Sequence, residues 1–324
     1  MNSSFRPSEP PRPICVIGNA NLDLVTGSID DWPEWGTEVF LERSDFRIGG
    51  SAANTALVLQ RLRHPVGLVS ATGSDAAAAM ITHQFAGALD RISARPGPTS
   101  MSVGILQTGG ERSFFSTNGH LDGLDAAFFS HALEDWPLEG AIALVSGGFA
   151  LPGLMAEHTD FLERLRARGA TIAIDPGWPG EGWSDAAIDN ARAWIGLADH
   201  ILLNDKEALG LAGENAVHAA CRAFAPYMRR DAALVVKRGP EGAACYHTRN
   251  YLVEHAAPLD VIDTVGAGDA FNAGYLSAVA EGASERAALR HGIDVATRVI
   301  GEFPRSGDAI SPERIAEPCA ISSS

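Results

Sequence analysis

Asp263-Thr264-Val265-Gly266-Ala267-Gly268-Asp269-Ala270-Phe271 is the most informative segment of this chain. Two β-favouring residues, Val261 and Ile262, precede it, and a helix-like stretch from Ala270 to Ala280 follows. The glycines at 266 and 268 let backbone N–H groups converge on one point, where the helix N-terminus adds a partial positive charge. The pattern therefore predicts a strand, an anion-binding turn and a helix, in that order.

Asp269 lies within this predicted anion site, at the start of the helix. A carboxylate is electrostatically unfavourable beside a bound anion, so its presence there suggests a chemical task. The task that fits is accepting a proton from an alcohol that attacks a phosphoryl group held at the turn. The alternative is an ordinary turn in which Asp269 caps the helix, because Asp is a favoured capping residue.

Two other phosphate-binding motifs are excluded by inspection. The dinucleotide fingerprint G-x-G-x-x-G would need glycine where Phe271 stands, which argues against a hydride-transfer enzyme. The P-loop string G-x-x-x-x-G-K-[ST] occurs nowhere in the chain.

Composition narrows the class of protein further. With 324 residues, 46% of them hydrophobic, the chain can form one large α/β domain, or one domain with a small appendage. A net charge of −15 argues against nucleic acid or an anionic membrane as a partner, because phosphates require a basic surface. The four cysteines form no C-x-x-C pair and fit a cytoplasmic protein. Residues 1–13 and 317–324 are expected to be flexible tails, the first being neither a signal peptide nor a membrane span.

Short β-like runs alternate with helical stretches along most of the chain. This order predicts a largely parallel sheet with helices on both faces. The strand-like runs are Ile14–Ile17, Val66–Ser70, Ile142–Ser146, Thr171–Ile174, Ile201–Leu203, Leu234–Lys237 and Ala243–Tyr246. The helical stretches are Ala52–Leu62, Ala76–Gly87, Gly153–Arg168, Asp185–Ala198, Ala216–Met228 and those after Gly268 and Ser284.

Two segments break this alternation. Leu24–Ile48 and Pro96–Asn118 alternate apolar and polar residues without a helix between them, as antiparallel ribbons do. We expect residues 24–48 and 96–118 to form a separate small sheet, the lid, over a core made of residues 14–23, 49–95 and 119–316. Extra strands on the edge of the main sheet are the alternative. We also expect a homodimer that pairs through the lid.

A second segment, Ile48-Gly49-Gly50-Ser51-Ala52-Ala53-Asn54-Thr55-Ala56, joins two glycines to an Ala-rich helix. Together with the stretch at 263–271 it resembles the ribokinase-like (PfkB) family of carbohydrate kinases. The likeness covers the chain from about Ile14 to Ile310. Three further matches follow the order of the family: Gly18–Asp23, Asn204–Glu207 and Lys237–Gly242.

The resemblance implies an α/β fold, with a three-layer Rossmann-like core, a mostly parallel sheet and a small β-sheet lid. It implies ATP as the phosphoryl donor and a hydroxymethyl group of a sugar-like molecule as the acceptor. Asp269 would be the general base, a role worth about 10²- to 10⁴-fold in rate. The backbone N–H groups of Gly266, Ala267 and Gly268 would form an anion hole for the transferred group.

The resemblance also assigns metal and substrate contacts. Asn204 and Glu207 match the family's N-x-x-E, which organises Mg²⁺ and its water shell. The alternative for Glu207 is a helix start that complements the helix dipole. Four residues match positions that hold the acceptor's hydroxyl groups, where carboxylates and amides suit vicinal diols; they are Asp23, Gly49, Gly50 and Asn54. A turn and a local helix contact are the alternatives for Asp23 and Asn54.

The remaining assignments concern the nucleotide, a second cation and the lid. Asp263 would contribute to a monovalent-cation (K⁺) site, whose other half would come from the loop near Gly301–Gly307. Arg112 in the lid would reach the acceptor or the phosphates, or would be a solvated surface residue. The residues that would border ATP are Asn204, Lys237, Gly239, Gly242, Thr264 and the helix that contains His291, Asp294 and Ala296.

Two departures from the family pattern leave the acceptor open. Many members carry an Asp-x-Asn-x-Arg string where this chain has Asp175-Pro176-Gly177-Trp178-Pro179, so a basic clamp is missing there. Ser146-Gly147-Gly148 likewise lacks an acidic residue to contact an acceptor hydroxyl. A nucleoside kinase of the same family and a non-catalytic ligand-binding regulator are the alternatives. Asp269 beside the glycine turn argues against the regulator, which has no need of a base.

Overall fold

The structure is a computed structural model, which describes residues 11–108, 112–258, 264–302 and 308–310. The strands of this part of the chain are β1 (Ile14–Gly18), β2 (Asn21–Ile29), β3 (Ser44–Gly49), β4 (Val66–Thr72), β5 (Arg91–Ala94), β6 (Met101–Gln107), β7 (Arg112–Ser116), β8 (Ile142–Ser146), β9 (Thr171–Asp175), β10 (His200–Asn204), β11 (Ala233–Lys237), β12 (Ala243–His247) and β13 (Asn250–Glu254).

Helices fill most of the segments between these strands. They are α1 (Ser51–Arg61), α2 (Ala78–Gln84), α3 (Ala126–Ala132), α4 (Pro152–Met155), α5 (His158–Ala167), α6 (Asp185–Ile195), α7 (Asp205–Ala212), α8 (Val217–Phe224), α9 (Ala267–Ala280) and α10 (Glu285–Ile300). Among the described residues, none of the helices combines the length and the apolar character needed to cross a membrane.

The larger sheet has the strand order β13-β12-β11-β10-β9-β8-β1-β4-β5. From β5 to β11 every pairing is parallel, and β12 is antiparallel to both of its neighbours. The prediction of a largely parallel sheet is therefore confirmed. Helices cover both faces, so the central strands read as continuous apolar runs; all five residues of β1, for example, are buried.

Two apolar cores lie on opposite faces of this sheet. Ile14 and Val16 of β1 point into the core under α1, α9 and α10, and Cys15 and Ile17 point into the core under the middle helices. The helix α9 is the most deeply enclosed, because ten of its fourteen residues are buried. Such a helix is held by contacts on all sides, so its N-terminus has a fixed position relative to the strand ends.

The smaller sheet has the order β3-β2-β6-β7 and is separate from the larger one, as the sequence predicts. Its two ribbons, β2 with β3 and β6 with β7, are antiparallel. The pairing that joins the ribbons, β2 with β6, is parallel, with an irregularity between Val25 and Ser28. The strand β2 begins at Asn21, inside the predicted core range, so it runs from the core into the lid.

Some elements differ from the sequence-based prediction. The helix predicted over Gly153–Arg168 is two helices, α4 and α5, separated by Ala156 and Glu157. The strands β5 and β13 were not predicted. The hairpin before β13 turns at Thr248 and Arg249, which have φ values of 48° and 67°. Tight turns of this kind normally carry Asn-Gly or Asp-Gly, so the usual sequence signal is missing here.

Gly242 lies between β11 and β12, where the backbone has a φ of 92° and a ψ of −127°. A Cβ at this position would lie 2.1 Å from the Glu254 carbonyl oxygen and 2.8 Å from the Ala256 nitrogen. We expect Gly242→Ala to reduce the free energy of unfolding by about 3 kcal/mol, because backbone strain and a backbone clash add together. Chemical denaturation measures the loss.

Gly213 supplies the matched control, since it also has a positive φ, of 66°, but its Cβ would meet nothing within 4 Å. Gly213→Ala should cost only about 1 kcal/mol, the penalty for the left-handed backbone alone. Equal losses in the two variants would contradict the close approach at Gly242.

Candidate active site

A cavity of about 740 Å³ opens at the carboxyl ends of the parallel strands. Three of these strands contribute their last residues to its wall: Asp175 of β9, Asn204 of β10 and Lys237 of β11. Ligands of open α/β sheets bind at this edge, where the loops after successive strands come together. The N-terminus of α9 lies on the same wall and contributes Ala267, Gly268 and Asp269.

The turn before α9 has the conformation that the glycine pattern predicts. Gly266 caps the helix in the left-handed region, with a φ of 75°. The Ala267 N–H donates to the Thr264 carbonyl oxygen at 3.2 Å, which closes the turn. Gly268 and Asp269 follow in the first helical turn, whose N–H groups find no carbonyl partner inside the helix. This arrangement is typical of an anion site.

Asp269 contacts the other signature segment. The Asn54 Nδ2 of α1 donates to the Asp269 Oδ2 at 3.0 Å, and the Thr55 hydroxyl donates to the Asp269 carbonyl oxygen at 3.4 Å. Two segments more than 200 positions apart in sequence thus meet at one carboxylate. A residue predicted to hold the acceptor therefore lies against the predicted base.

The other predicted acceptor residues cluster at the start of α1. The Asp23 carboxylate lies over Gly49, where a Cβ would come within 2.1 Å of it. The Asn21 Nδ2 donates to Asp23 Oδ1 at 2.7 Å and fixes the carboxylate. Gly50 caps α1 with a φ of 92°, and Ser51, which follows, lines the cavity. Glycine is required at 49 because any side chain would displace Asp23.

Asn204 and Glu207 form a capping box at the start of α7. The Glu207 N–H donates to the Asn204 Oδ1, and the Asn204 N–H donates to the Glu207 Oε2, both at 2.8 Å. This is the helix-start alternative considered for Glu207. The carboxylate also lines the cavity and is 5% exposed. Burial, and then the nearby Asp175 carboxylate, raise the pKa of Glu207 to about 7.

A buried cluster joins three elements beside the helix N-terminus. The Lys237 Nζ donates to the Asp175 Oδ2 at 2.8 Å and to the Asn272 Oδ1 at 3.2 Å. The Asn272 Nδ2 donates to the same Asp175 oxygen at 2.5 Å. Neither Asp175 nor Asn272 was predicted as a site residue. Two sequence signals could have found them: Asp175 is an acidic residue that ends a buried strand, and Asn272 is an amide residue one helical turn after Asp269.

The remaining predicted residues fall into three groups. Gly239, Gly242, Thr264 and Ala296 line the cavity, whereas His291 and Asp294 are not among its described lining residues. Asp263 and most of the loop near Gly301–Gly307 lie outside the described residues, as does the side chain of Arg112. In the described part of the chain, no group of three or more His, Cys, Asp or Glu side chains is arranged to hold a metal ion.

Comparisons with known proteins place the chain in a family. The family model described as pfkB family carbohydrate kinase matches residues 12–306. The chain is 26% identical to ribokinase of Bacillus subtilis (strain 168) over 300 residues, which cover 91% of this chain and 95% of that protein. It is 24% identical to nucleoside kinase of Methanothermobacter thermautotrophicus over 321 residues, which cover 92% and 94%.

Among solved structures, the fold resembles Arabidopsis thaliana ribokinase complexed with ribose and ATP, with a TM-score of 0.72 and 21% identity over 91% of this chain and 94% of that one. The fold is therefore ribokinase-like, and enzymes of this class are phosphotransferases. The chain belongs to the pfkB family of carbohydrate kinases, and it is a sugar or nucleoside kinase.

The raised pKa of Glu207 predicts a pH-dependent stability. Between about pH 4.5 and 7 the folded state keeps a proton on Glu207 that the unfolded state releases, so the free energy of unfolding falls as the pH rises. Glu207→Gln removes this effect and leaves an amide oxygen for the Asn204 N–H. Its stability relative to the unmodified protein should rise through this range, by at most about 3 kcal/mol, and level off above it.

Thermal unfolding at a series of pH values measures the difference. Glu214→Gln makes the same substitution at an exposed position just after α7. Its stability difference should stay constant with pH. A constant difference for Glu207→Gln as well would contradict the raised pKa.

Proposed function

We propose that the protein transfers the γ-phosphoryl group of ATP to a hydroxymethyl group of a sugar or sugar-like acceptor. The observation that carries the proposal is the position of Asp269. Its carboxylate lies at the N-terminus of α9, lines the cavity and contacts Asn54 of the predicted acceptor segment. An alcohol bound beside Asn54 would therefore meet a base and an anion site together.

In this proposal Asp269 accepts the proton of the attacking hydroxyl group. The N–H groups of the Gly266–Gly268 turn and the helix N-terminus stabilise the charge on the transferred group. Asn54 orients the carboxylate through its hydrogen bond, and Asp23 and Asn21 orient the acceptor. Phosphoryl transfer depends mainly on positioning and charge stabilisation, so a site with few reactive side chains is sufficient.

The donor side of the cavity fits a nucleotide. Apolar residues that suit an adenine ring line it, together with the backbone of Gly239 and Gly242; the apolar residues are Ala256, Ala257, Pro258, Ile293, Ala296 and Ile300. Thr264 also lines the cavity, next to the turn that would bind the phosphates. We propose ATP as the occupant, with its triphosphate directed at the α9 N-terminus.

Mg²⁺ is proposed as the cofactor, held through water by Glu207 and Asn204. The donor set fits, because Mg²⁺ commonly uses one or two carboxylates and takes its other ligands from water and substrate phosphates. When bound, the ion would neutralise part of the phosphate charge. We further propose that Asp263 contributes to a potassium site. The chain's own contribution on the acceptor side does not depend on either ion.

Asp269→Asn should abolish phosphoryl transfer, with a fall in kcat of at least about 10²-fold, because the amide cannot accept the proton. ATP binding should remain within about threefold, since the side chain keeps its shape and an oxygen for Asn54. A coupled assay of ATP consumption over pentoses, hexoses, deoxy-keto acids and nucleosides identifies the acceptor. Calorimetry then measures ATP binding.

Asp205→Asn is the matched control, because Asp205 also lines the cavity but lies on α7. This variant should keep most of its kcat. Retention of activity by Asp269→Asn would remove the base assignment. Turnover of nucleosides alone would identify a nucleoside kinase.

We also propose a homodimer that pairs through the lid. One row of apolar side chains crosses all four lid strands: Phe46, Leu24, Val103 and Phe115 are paired in register. Phe46 and Phe115 are 47% and 57% exposed, and Trp32 packs edge-on against Phe115. Asp23 lies on the opposite face of β2, because side chains alternate along a strand. The apolar face is therefore available to a second copy of the chain.

Phe46→Ser combined with Phe115→Ser should shift the protein from dimer to monomer, because the apolar row is lost. Sedimentation velocity over a range of concentrations measures the shift. Phe114→Ser is the matched control, since Phe114 is 43% exposed but lies over Gly104 on the other face. A monomeric unmodified protein, or equal effects of the two variants, would contradict this interface.

A further inference from the structure

The side chains of Asp175, Lys237 and Asn272 form a buried, hydrogen-bonded cluster. The steps proposed above assign this cluster no part in the reaction. Asp175 and Asn272 are 6% and 0% exposed, and the Lys237 side chain is 11% exposed. Each comes from a different element, β9, β11 and α9. Burial of an ammonium group is unfavourable unless it is paired, so the position of Lys237 requires an explanation.

Lys237 lies next to the proposed anion hole. A Cβ built on Gly268 would be 3.5 Å from the Lys237 Nζ, so the ammonium group is adjacent to the first turn of α9. Asp175, Lys237, Gly268 and Asp269 all line the same cavity. Asn272 lies three positions after Asp269, on the same side of the helix. The cluster therefore has a fixed position relative to the base.

Lys237 keeps its positive charge in this environment. Burial lowers the pKa of Lys237, but the carboxylates of Asp175, Glu207 and Asp269 raise it, and the net shift is upward. Among the described residues that line the cavity, Lys206 is the other one with a cationic side chain, and it is exposed on α7. Lys237 is thus the buried positive charge nearest to the turn.

We infer that Lys237 is a catalytic residue that contacts the transferring phosphoryl group, and that Asp175 and Asn272 are its positioning residues. The inference rests on the proposed kinase function. An ammonium group has three donors, and Asp175 and Asn272 are the described residues that accept from Lys237. A third donor is then available to a phosphoryl oxygen at the helix N-terminus.

This role explains the missing basic clamp. The segment after Asp175 contains Pro176, Gly177, Trp178 and Pro179, none of which can donate a charged hydrogen bond. In this role the ammonium group of Lys237, at the end of β11, supplies the positive charge that the loop after β9 lacks. The alternative explanation is a purely structural ion pair that ties α9 to the sheet.

The test replaces Lys237 and Asp175 together, because a lysine variant alone would leave a buried carboxylate without its partner and could prevent folding. The variant is Lys237→Gln with Asp175→Asn, and Asp175→Asn alone is the comparison that keeps the cation. Calorimetry without acceptor measures the affinities for ADP and for the non-hydrolysable analogue adenosine 5′-(β,γ-imido)triphosphate. Steady-state kinetics with the best acceptor measures kcat and KM.

The double variant should lose at least about tenfold in affinity for the triphosphate analogue, while its affinity for ADP changes less than about threefold. Its kcat should fall at least about 100-fold with little change in acceptor KM. Asp175→Asn alone should lie between the double variant and the unmodified protein, because the cation remains but is less well positioned.

A purely structural ion pair would give a different result. The melting temperature would fall, while the ratio of triphosphate to diphosphate affinity and the kcat of the folded variant would stay close to their original values; that result overturns the inference. Failure of the proposed function is recognised separately, since the unmodified protein would then transfer no phosphoryl group to any acceptor. The comparison of triphosphate and diphosphate affinities still tests Lys237 in that case.

Discussion

The site depends on the fixed position of the N-terminus of α9, a helix in which ten of the fourteen residues are buried. Because α9 is buried on nearly every side, it cannot shift without disturbing both α1 and α10. The first N–H groups of α9 face a cavity. Gly266 adopts the left-handed conformation that starts the helix at this point. The hydrogen bond from Asn54 to Asp269 then ties α1 to the same helix.

The charges around this helix end explain how an acidic protein accommodates a phosphorylated substrate. Asp175, Glu207 and Asp269 lie around one buried lysine, and all three carboxylates raise the pKa of that lysine. Burial, and then repulsion from the Asp175 carboxylate, raise the pKa of Glu207. Cations and a protonated carboxylate relieve this repulsion, so ionic conditions should affect stability as well as binding.

Much of the fold could be predicted from the sequence, because buried parallel strands read as apolar runs and β1, β4, β8 and β11 are of this kind. In the folded chain the two signature segments meet through the hydrogen bond from Asn54 to Asp269. The hairpin at Thr248 and Arg249 gave no signal, since neither residue type is usual there. The Asp175–Lys237–Asn272 cluster could not be predicted, because its members come from distant segments and only the folded chain brings them together.

The alternation of side chains in the lid has a consequence for how such enzymes can diverge. Asp23 and Leu24 are neighbours in sequence but lie on opposite faces of β2, and Arg47 and Phe46 of β3 repeat this arrangement in register. One face carries Asp23, the proposed acceptor contact, and the other carries the apolar row. A one-residue slip in this ribbon would exchange the two faces at once, so insertions here should be far less tolerated during evolution than substitutions.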